Sequence, residues 1–418
     1  MARRVNHEGT ISAYTTPSGE TRYRIAYWVA RPDGEMVRRF RRGFETERAA
    51  REEVAALQVD IRRGVHVEET RETLNSYSTK YFDGLRVRPT TLAGYRKHYR
   101  VHVEPAALGR TPLSEITKDQ LNRYYRQLER DGRRDRGHVG EPLGAATIRH
   151  IHVLVSQMLQ HALEDGLVRV NAAKRASPPT KLEAAPPEMM TWSAEDARLF
   201  LDWSESSGDY LWLAWLTLLG TGMRRGELLG LRWKDVDLEN NVITIARAMS
   251  YVKESGKKPV IDFHATKSGR VRNVDIDARL ATTLRSKRDM LRAVAPELAR
   301  GEQLIFCNRF GRPHNPTQFS RQWRERMAKA AEAHPDLDAL HLHELRHTHA
   351  TLLLRAGVHP KIVSERLGHA DIQTTLNTYS HAVRTLQRGA ADLVGTLLAP
   401  IGKPPTADSA DGSHLVGH

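Results

Sequence analysis

Hydrophobic and polar positions change period twice along this chain. Residues 23–29, Tyr-Arg-Ile-Ala-Tyr-Trp-Val, have strand composition, residues 31–35 read as a turn, and residues 36–44 return as a second strand. Thr46 is placed to cap a helix running to about residue 63, with Glu47 in its first turn and Gly64 closing it. From residue 70 the apolar positions recur at three- and four-residue steps. Helices are predicted over residues 74–85, 89–103, 118–130 and 145–165, the second opened by Pro89. His150, His152 and His161 lie on the last of these and read as surface or packing residues rather than metal ligands.

Two Pro-Pro pairs in residues 176–190 exclude a helix there and mark a semi-extended linker. Beyond it, Ser193 caps a helix with Asp196 at the reciprocal third position. Residues 210–219 are apolar all round and so are predicted to be buried. Residues 242–246, 260–264 and 271–276 read as three strands, the last two joined as a hairpin through 265–270. Helices follow through Tyr379 to about residue 398. There Val383, Leu386, Ala390, Leu393 and Leu397 form an apolar stripe suited to docking on a neighbouring protomer or on the chain's own core. The tail from Gly402 has the composition of a disordered segment.

The expected fold class is therefore multidomain. Residues 1–66 form a small N-terminal β-sheet plus helix, and residues 70–175 an all-α domain. After the linker, residues 191–400 form a mixed α+β domain, mainly α with a small three-stranded sheet, and residues 401–418 a disordered tail.

Charge narrows the function. The chain has 418 residues and a net charge of +14, a balance that favours polyanionic partners, nucleic acid above all. Residues 1–66 hold 13 basic against 9 acidic side chains, and residues 67–180 hold 19 against 13, so most of the excess lies before the mixed domain. The run Arg38-Arg39-Phe40-Arg41-Arg42 alternates poorly as a half-buried strand and reads better as a basic ribbon entering a DNA groove. A solvated edge strand guarded by charge is the competing reading. The single cysteine, Cys307, excludes an internal disulfide framework and fits a reducing cytoplasm. The N-terminus is polar, and the longest apolar run is too short to span a bilayer.

Candidate chemistry gathers in the last 200 residues. Cleaving a phosphodiester without a metal requires a side-chain nucleophile, cations for the nonbridging oxygens and an acid for the leaving oxygen. Arginine suits the second role, being always charged and bidentate toward phosphate. Tyrosine suits the first if nearby cations lower its pKa from about 10. Arg224 follows a Thr-Gly turn at a helix start, where a three-residue step brings Glu227 to the same face. His343 and Arg346 are likewise three apart, and His369 follows Gly368. Lys267 sits in the predicted hairpin turn, and Tyr379 lies ten residues after His369. Arg225 competes with Arg224 for the first position, and Lys257, Lys258 and Arg270 compete with Lys267.

Taken together, the stretches 221–233, 266–272, 343–351 and 367–379 resemble the tyrosine recombinase family, of the phage integrase type. The resemblance implies Arg224 and Arg346 as phosphate clamps, Lys267 as general acid and His343 as acid or base. It implies His369 as a phosphate hydrogen-bond donor and Tyr379 as the nucleophile, with Glu227 in support. It extends more loosely to 70–175 as a core-binding domain and to 1–66 as an arm-type DNA-binding domain, where Arg38, Arg39, Arg41 and Arg42 would touch DNA. The implied partners are double-stranded DNA attachment sites, three further protomers in a tetramer, and a host bending protein and directionality factor. The implied setting is a bacterial cytoplasm at the nucleoid, with no cofactor or metal and a Holliday junction on the reaction path.

Four alternatives stay open at this level. A type IB-like topoisomerase would use the same nucleophile without synapsis, and a transposon-borne integrase would differ only in the element it moves. A non-catalytic DNA-binding regulator would not need Tyr379. The pentapeptide His343-Glu344-Leu345-Arg346-His347 also matches a zinc hydrolase pattern, though no third ligand follows at a suitable spacing. On the recombinase reading His347 is a packing residue.

Overall fold

The structure is a computed structural model that describes residues 9–30, 36–62, 71–186, 188–253, 256, 258–266, 269–379 and 387–398. The expected turn at 31–35, the helix end at Gly64 and the tail 401–418 lie outside the described residues, as does Lys267. The chain divides into two compact units, Met1–Pro187 and Glu188–His418.

The first unit opens with strands β1 (Thr10–Thr15), β2 (Thr21–Ala30) and β3 (Met36–Phe44), an antiparallel sheet in sequence order. Helix α1 (Glu47–Arg62) covers one face, and the Thr46 hydroxyl accepts from Ala49 N at its start. Ile25, Tyr27, Ala50 and Leu57 are buried between them. Directly opposed residues in an antiparallel pair share a face. Arg39 and Arg41 oppose the buried Tyr27 and Ile25, and so lie on the helix side, where Arg41 pairs with Glu53 of α1. Arg38 and Arg42 oppose Trp28 and Arg24 on the other side and are exposed, with Phe40 between them. The basic run is therefore a regular strand that sorts its four arginines two to each face.

The helical part of this unit is α2 (Leu74–Gly84), α3 (Pro89–His98), α4 (Ala107–Arg110), α5 (Lys118–Asp131) and α6 (Ala145–Glu164). Helix α3 passes into a π-helical turn, Tyr99–Val103, which completes the predicted span to residue 103. The apolar face of α6, with Ile148, Ile151, Val155 and Met158, is buried against α2 and α5. Its histidines serve packing: His161 Nδ1 lies 2.7 Å from the Tyr77 hydroxyl, and His152 Nδ1 lies 2.9 Å from that of Tyr125. Residues 177 and 179 remain tied to this region, through Asn122 and Arg149.

The second unit starts with α7 (Ala194–Ser206), where Ser193 and Asp196 form the predicted capping box. Helix α8 (Trp212–Thr221) is buried on almost every side, as its uniform apolarity requires. Helix α9 (Arg225–Leu229) follows at once. Strands β4 (Val236–Asp237), β5 (Val242–Ile245) and β8 (Arg272–Asp275) form one sheet, and β6 (Arg247–Val252) and β7 (Val260–Ala265) a separate pair. The expected hairpin between residues 260–264 and 271–276 is not what forms. β7 pairs with β6, and β8 crosses to β5. Strand pairing is set by contacts distant in sequence, which local alternation does not encode.

Helices α10 (Ala278–Val294), α11 (Pro316–Ala333), α12 (Glu344–Arg355), α13 (Pro360–Leu367) and α14 (Ile372–Thr378) complete the unit, with α15 (Gln387–Leu397) beyond. An aromatic core of Trp192, Phe200, Trp215, Phe319 and Trp323 packs α7, α8 and α11 together, with ring centroids as close as 4.9 Å. In the C-terminal stripe Val383 and Leu386 lie outside the described residues, while Leu397 is exposed. No helix among the described residues is long and apolar enough to cross a membrane.

Candidate active site

The site forms where α8 ends. Gly222 adopts φ +64°, and a Cβ there would stand 2.5 Å from the His349 ring, so the turn out of α8 needs glycine. That turn delivers Arg224 to the N-cap of α9. Glu227, one turn along, is 2% exposed and accepts from the Arg224 backbone N–H at 2.8 Å and its guanidinium at 3.0 Å. The Arg225 side chain instead turns to α11 and donates to Pro316 O and Ser320 Oγ.

Arg272 of β8 completes the arrangement. Its Nη1 and Nη2 donate to the two Glu227 oxygens at 3.2 and 2.7 Å, and its Nε donates to Arg366 O at 2.9 Å. Burial alone would raise the Glu227 pKa, but Arg272 and Arg224 outweigh it and hold the carboxyl below its ordinary range. Residue spacing alone assigns Arg272 no role. Its signal was present, since Arg272, Val274 and Ile276 alternate on one inward face of the strand. An arginine at an apolar strand position calls for a buried acid.

Arg346 is 3% exposed, and its Nη1 and Nη2 donate to Gly222 O and Leu367 O, both at 2.8 Å. Burial, helped by the charge of Arg224, lowers its pKa to about 9. The guanidinium thus stays charged at neutral pH and is short of counter-charge, as an anion site requires. A cavity of about 370 Å³ opens beside it, lined by Met223, Arg224, Arg225, Ser320, His343 and Arg346.

His343 caps α12 at the cavity rim and is exposed, although the surrounding protein and Arg346 push its pKa down. Its ring meets that of His347 edge-on at 5.0 Å. His369 follows Gly368, which ends α13 at φ +68°. Its Nδ1 lies 2.7 Å from the buried Thr375 hydroxyl, which fixes the ring and leaves Nε2 without a hydrogen-bond partner among the described residues. Burial, then Arg346 and Arg224, lower its pKa to about 4.

Tyr379 terminates α14 and is fully buried among Ala350, Leu354, Val363 and Leu367. Its hydroxyl lies 2.8 Å from His347 Nδ1. Two features here go beyond what residue spacing suggests. His347 does more than pack, because it holds the candidate nucleophile. The Tyr379 pKa is raised to about 12, not lowered: burial outweighs the opposing pull of Arg346 and Arg224.

Arg224, Glu227, His343, Arg346, His369 and Tyr379 are thus gathered in one unit, joined by Arg272 and His347. Lys267 lies outside the described residues, between the buried Thr266 and Arg272. Arg38, Arg39, Arg41 and Arg42 belong to the other unit. Among the described residues no group of three or more His, Cys, Asp or Glu side chains is set to hold a metal, and His347 is turned to Tyr379.

Residues 193–385 match the model of the phage integrase family. A XerC-like tyrosine recombinase of Caldanaerobacter subterraneus is 26% identical over 415 residues, covering 95% of this chain and all of its own. The integrase of transposon Tn1549, solved with a circular intermediate DNA, superposes with a TM-score of 0.63 at 22% identity, over 77% of this chain and 99% of its own. A lambda integrase tetramer bound to a Holliday junction gives 0.52 at 18% identity, over 90% and 96%. By their motifs and this match, residues 193–385 form a domain of the phage integrase family, and tyrosine recombinases are similar over most of the chain.

Proposed function

We propose that this protein is a site-specific integrase that cleaves and rejoins DNA through a 3′-phosphotyrosine bond to Tyr379. The observation that carries this reading is the Tyr379 hydroxyl, held by His347 beside a buried, under-compensated Arg346. Arg224 and Arg346 bind the nonbridging oxygens of the scissile phosphate and neutralise charge as it builds. His369, with Nε2 unpartnered among the described residues, donates to the same phosphate, and His343 serves as acid or base at the rim. Lys267, five residues before the anchored Arg272, protonates the leaving sugar oxygen. The phosphotyrosine keeps the energy of the broken linkage, so rejoining needs no ATP.

The domain plan proposed with it has an arm-type DNA-binding domain at 1–66, a core-binding domain at 70–175, a linker at 176–190 and a catalytic domain at 191–400. Four protomers on two attachment-site duplexes pass through a Holliday junction, the state in which the lambda integrase tetramer was solved. A host bending protein and a directionality factor complete the proposed assembly, and a phage-like element is its cargo.

The test is covalent trapping on a nicked duplex carrying the crossover site mapped from the junctions that flank the gene. Wild-type protein is expected to form an SDS-stable adduct insensitive to EDTA, and Tyr379→Phe to bind the duplex without forming it. An adduct from Tyr379→Phe defeats the nucleophile assignment. Relaxation of plasmids bearing two sites, without exchange of their flanks, favours a topoisomerase instead.

A further inference from the structure

We infer that His347 is a further catalytic residue, whose Nδ1 takes the proton of the Tyr379 hydroxyl as that oxygen attacks phosphorus. The inference rests on the nucleophile assignment proposed above and adds the fate of the nucleophile's proton.

The geometry is specific. His347 and Tyr379 lie 32 positions apart, on α12 and at the end of α14, and their polar atoms meet at 2.8 Å. That is hydrogen-bond reach for direct transfer. Tyr379 is fully buried, so bulk water has no access to its hydroxyl. The groups facing His347 are His343, edge-on at 5.0 Å, Arg346 one residue before it, Tyr379 and His369. None is an anion at neutral pH. With burial first, then His343 and Arg346, the His347 pKa falls to about 4. The imidazole is therefore neutral, and its Nδ1 lone pair is available to accept.

A phenol near 12 beside an imidazole near 4 keeps its proton. Bringing the DNA phosphate beside Arg346 supplies the missing anion. As the Tyr379 oxygen bonds to phosphorus, the phenol becomes far more acidic, and the phosphate charge stabilises the imidazolium forming next to it. One bond forms, Tyr379 oxygen to phosphorus, and one breaks, phosphorus to the 5′ oxygen. The phenol proton moves to His347 Nδ1, and the leaving oxygen takes a proton from a separate acid. On rejoining, His347 returns its proton to the departing Tyr379 oxygen.

The test uses full-length protein and the nicked duplex described above. His347→Gln can still accept a hydrogen bond but cannot carry the proton. It is expected to bind the duplex like wild type and to form adduct about 100-fold more slowly, the scale of one general base. Placing 3-fluorotyrosine at position 379 makes the phenol more acidic. It is expected to speed the His347→Gln protein by a larger factor than wild type, because an acidic nucleophile needs less help from a base. A role in positioning alone predicts equal factors, and that result overturns the inference. So does a His347→Gln rate within threefold of wild type. A duplex with sulfur at the 5′ bridging position, whose thiolate leaves unprotonated, is expected to leave the defect in place; restoration would assign His347 to the leaving group. If His347→Gln does not fold, His347→Asn is held to the same criteria. Failure of the nucleophile assignment is a different result, in which wild type forms no adduct or Tyr379→Phe still does.

Discussion

Arg272 reaches across 45 residues of sequence to grip both oxygens of Glu227, and both side chains are buried where they meet. Glu227 in turn holds Arg224 by its backbone and its guanidinium. The carboxylate thus sets one arginine of the proposed clamp, while Arg272, bonded to Arg366 O, ties that arginine to the helix preceding His369. Two halves of the site far apart in sequence share a single buried acid.

Removing that acid's charge should therefore cost stability as well as activity. Glu227→Gln leaves Arg272 buried and without a counter-ion. Breaking a buried pair from one side costs about 3–5 kcal/mol. Denaturant titration of the variant should show a loss of that order, and adduct formation should fall with it. A loss under about 1 kcal/mol would mean that water already reaches Arg272.

The glycine after α13 offers an independent probe of the same contact. At Gly368, φ is +68°, and an added Cβ would lie 2.8 Å from Arg272 Nη1. Gly368→Ala must bear both the left-handed strain, about 1 kcal/mol, and a displaced guanidinium. We expect a lower Tm and slower adduct formation together. Gly357→Ala is the control: it has φ +82° but open space around it, so it should lower Tm with little effect on the chemistry.

Much of this was legible in the sequence, for local reasons. The capping pairs at Ser193 and Asp196, the wholly apolar α8, the Arg224–Glu227 step and the apolar face of α6 all depend on residues within a turn or two of each other. What escaped depends on contacts across the fold. Strand β6 took β7 as its partner, against the hairpin that alternation suggested. Arg272 looked like one more arginine in a basic chain until burial paired it with Glu227. His347 looked like packing because its partner lies 32 residues away. Neighbouring arginines suggested a lowered tyrosine pKa, but burial, which no spacing reveals, acts in the opposite sense.

Histidine burial also predicts a pH dependence. His349 is 6% exposed, with Nδ1 at 2.7 Å from Leu219 O and Nε2 accepting from Arg366 at 3.1 Å. Its pKa is lowered to about 4, first by burial and then by Arg366. The unfolded chain, with an ordinary histidine pKa near 6.5, takes the proton first as pH falls. Stability from this group is thus complete above about pH 6.5 and is lost toward pH 4. His349→Gln keeps a donor for Leu219 and an acceptor for Arg366 but cannot titrate. Unfolding free energies between pH 4.5 and 6.5 should have a slope shallower than wild type by up to one proton, about 1.4 kcal/mol per pH unit. An unchanged slope would show that His349 takes up its proton in the fold as readily as in the unfolded chain.

The N-terminal sheet makes the last prediction, because it separates arginines that the sequence ran together. Arg38 and Arg42 stand exposed on the outer face, and the Arg38 guanidinium lies 5.3 Å from the Phe40 ring centroid. Arg41 is on the opposite face, paired with Glu53 of α1. If the outer face binds DNA, each of its arginines neutralises phosphate and releases counterions. Each such contact contributes about 0.9 to the slope of log K against log salt concentration. Replacing Arg38 and Arg42 together by Ala should weaken binding of the full-length protein to a duplex and flatten that slope by about 2. Arg41→Ala should leave the slope unchanged and instead lower stability by up to about 1 kcal/mol, the scale of a partly exposed ion pair. Fluorescence titrations at several salt concentrations measure both. Equal flattening by Arg41→Ala would mean that the Glu53 pair opens on DNA and that the strand binds by its edge, with both faces in use.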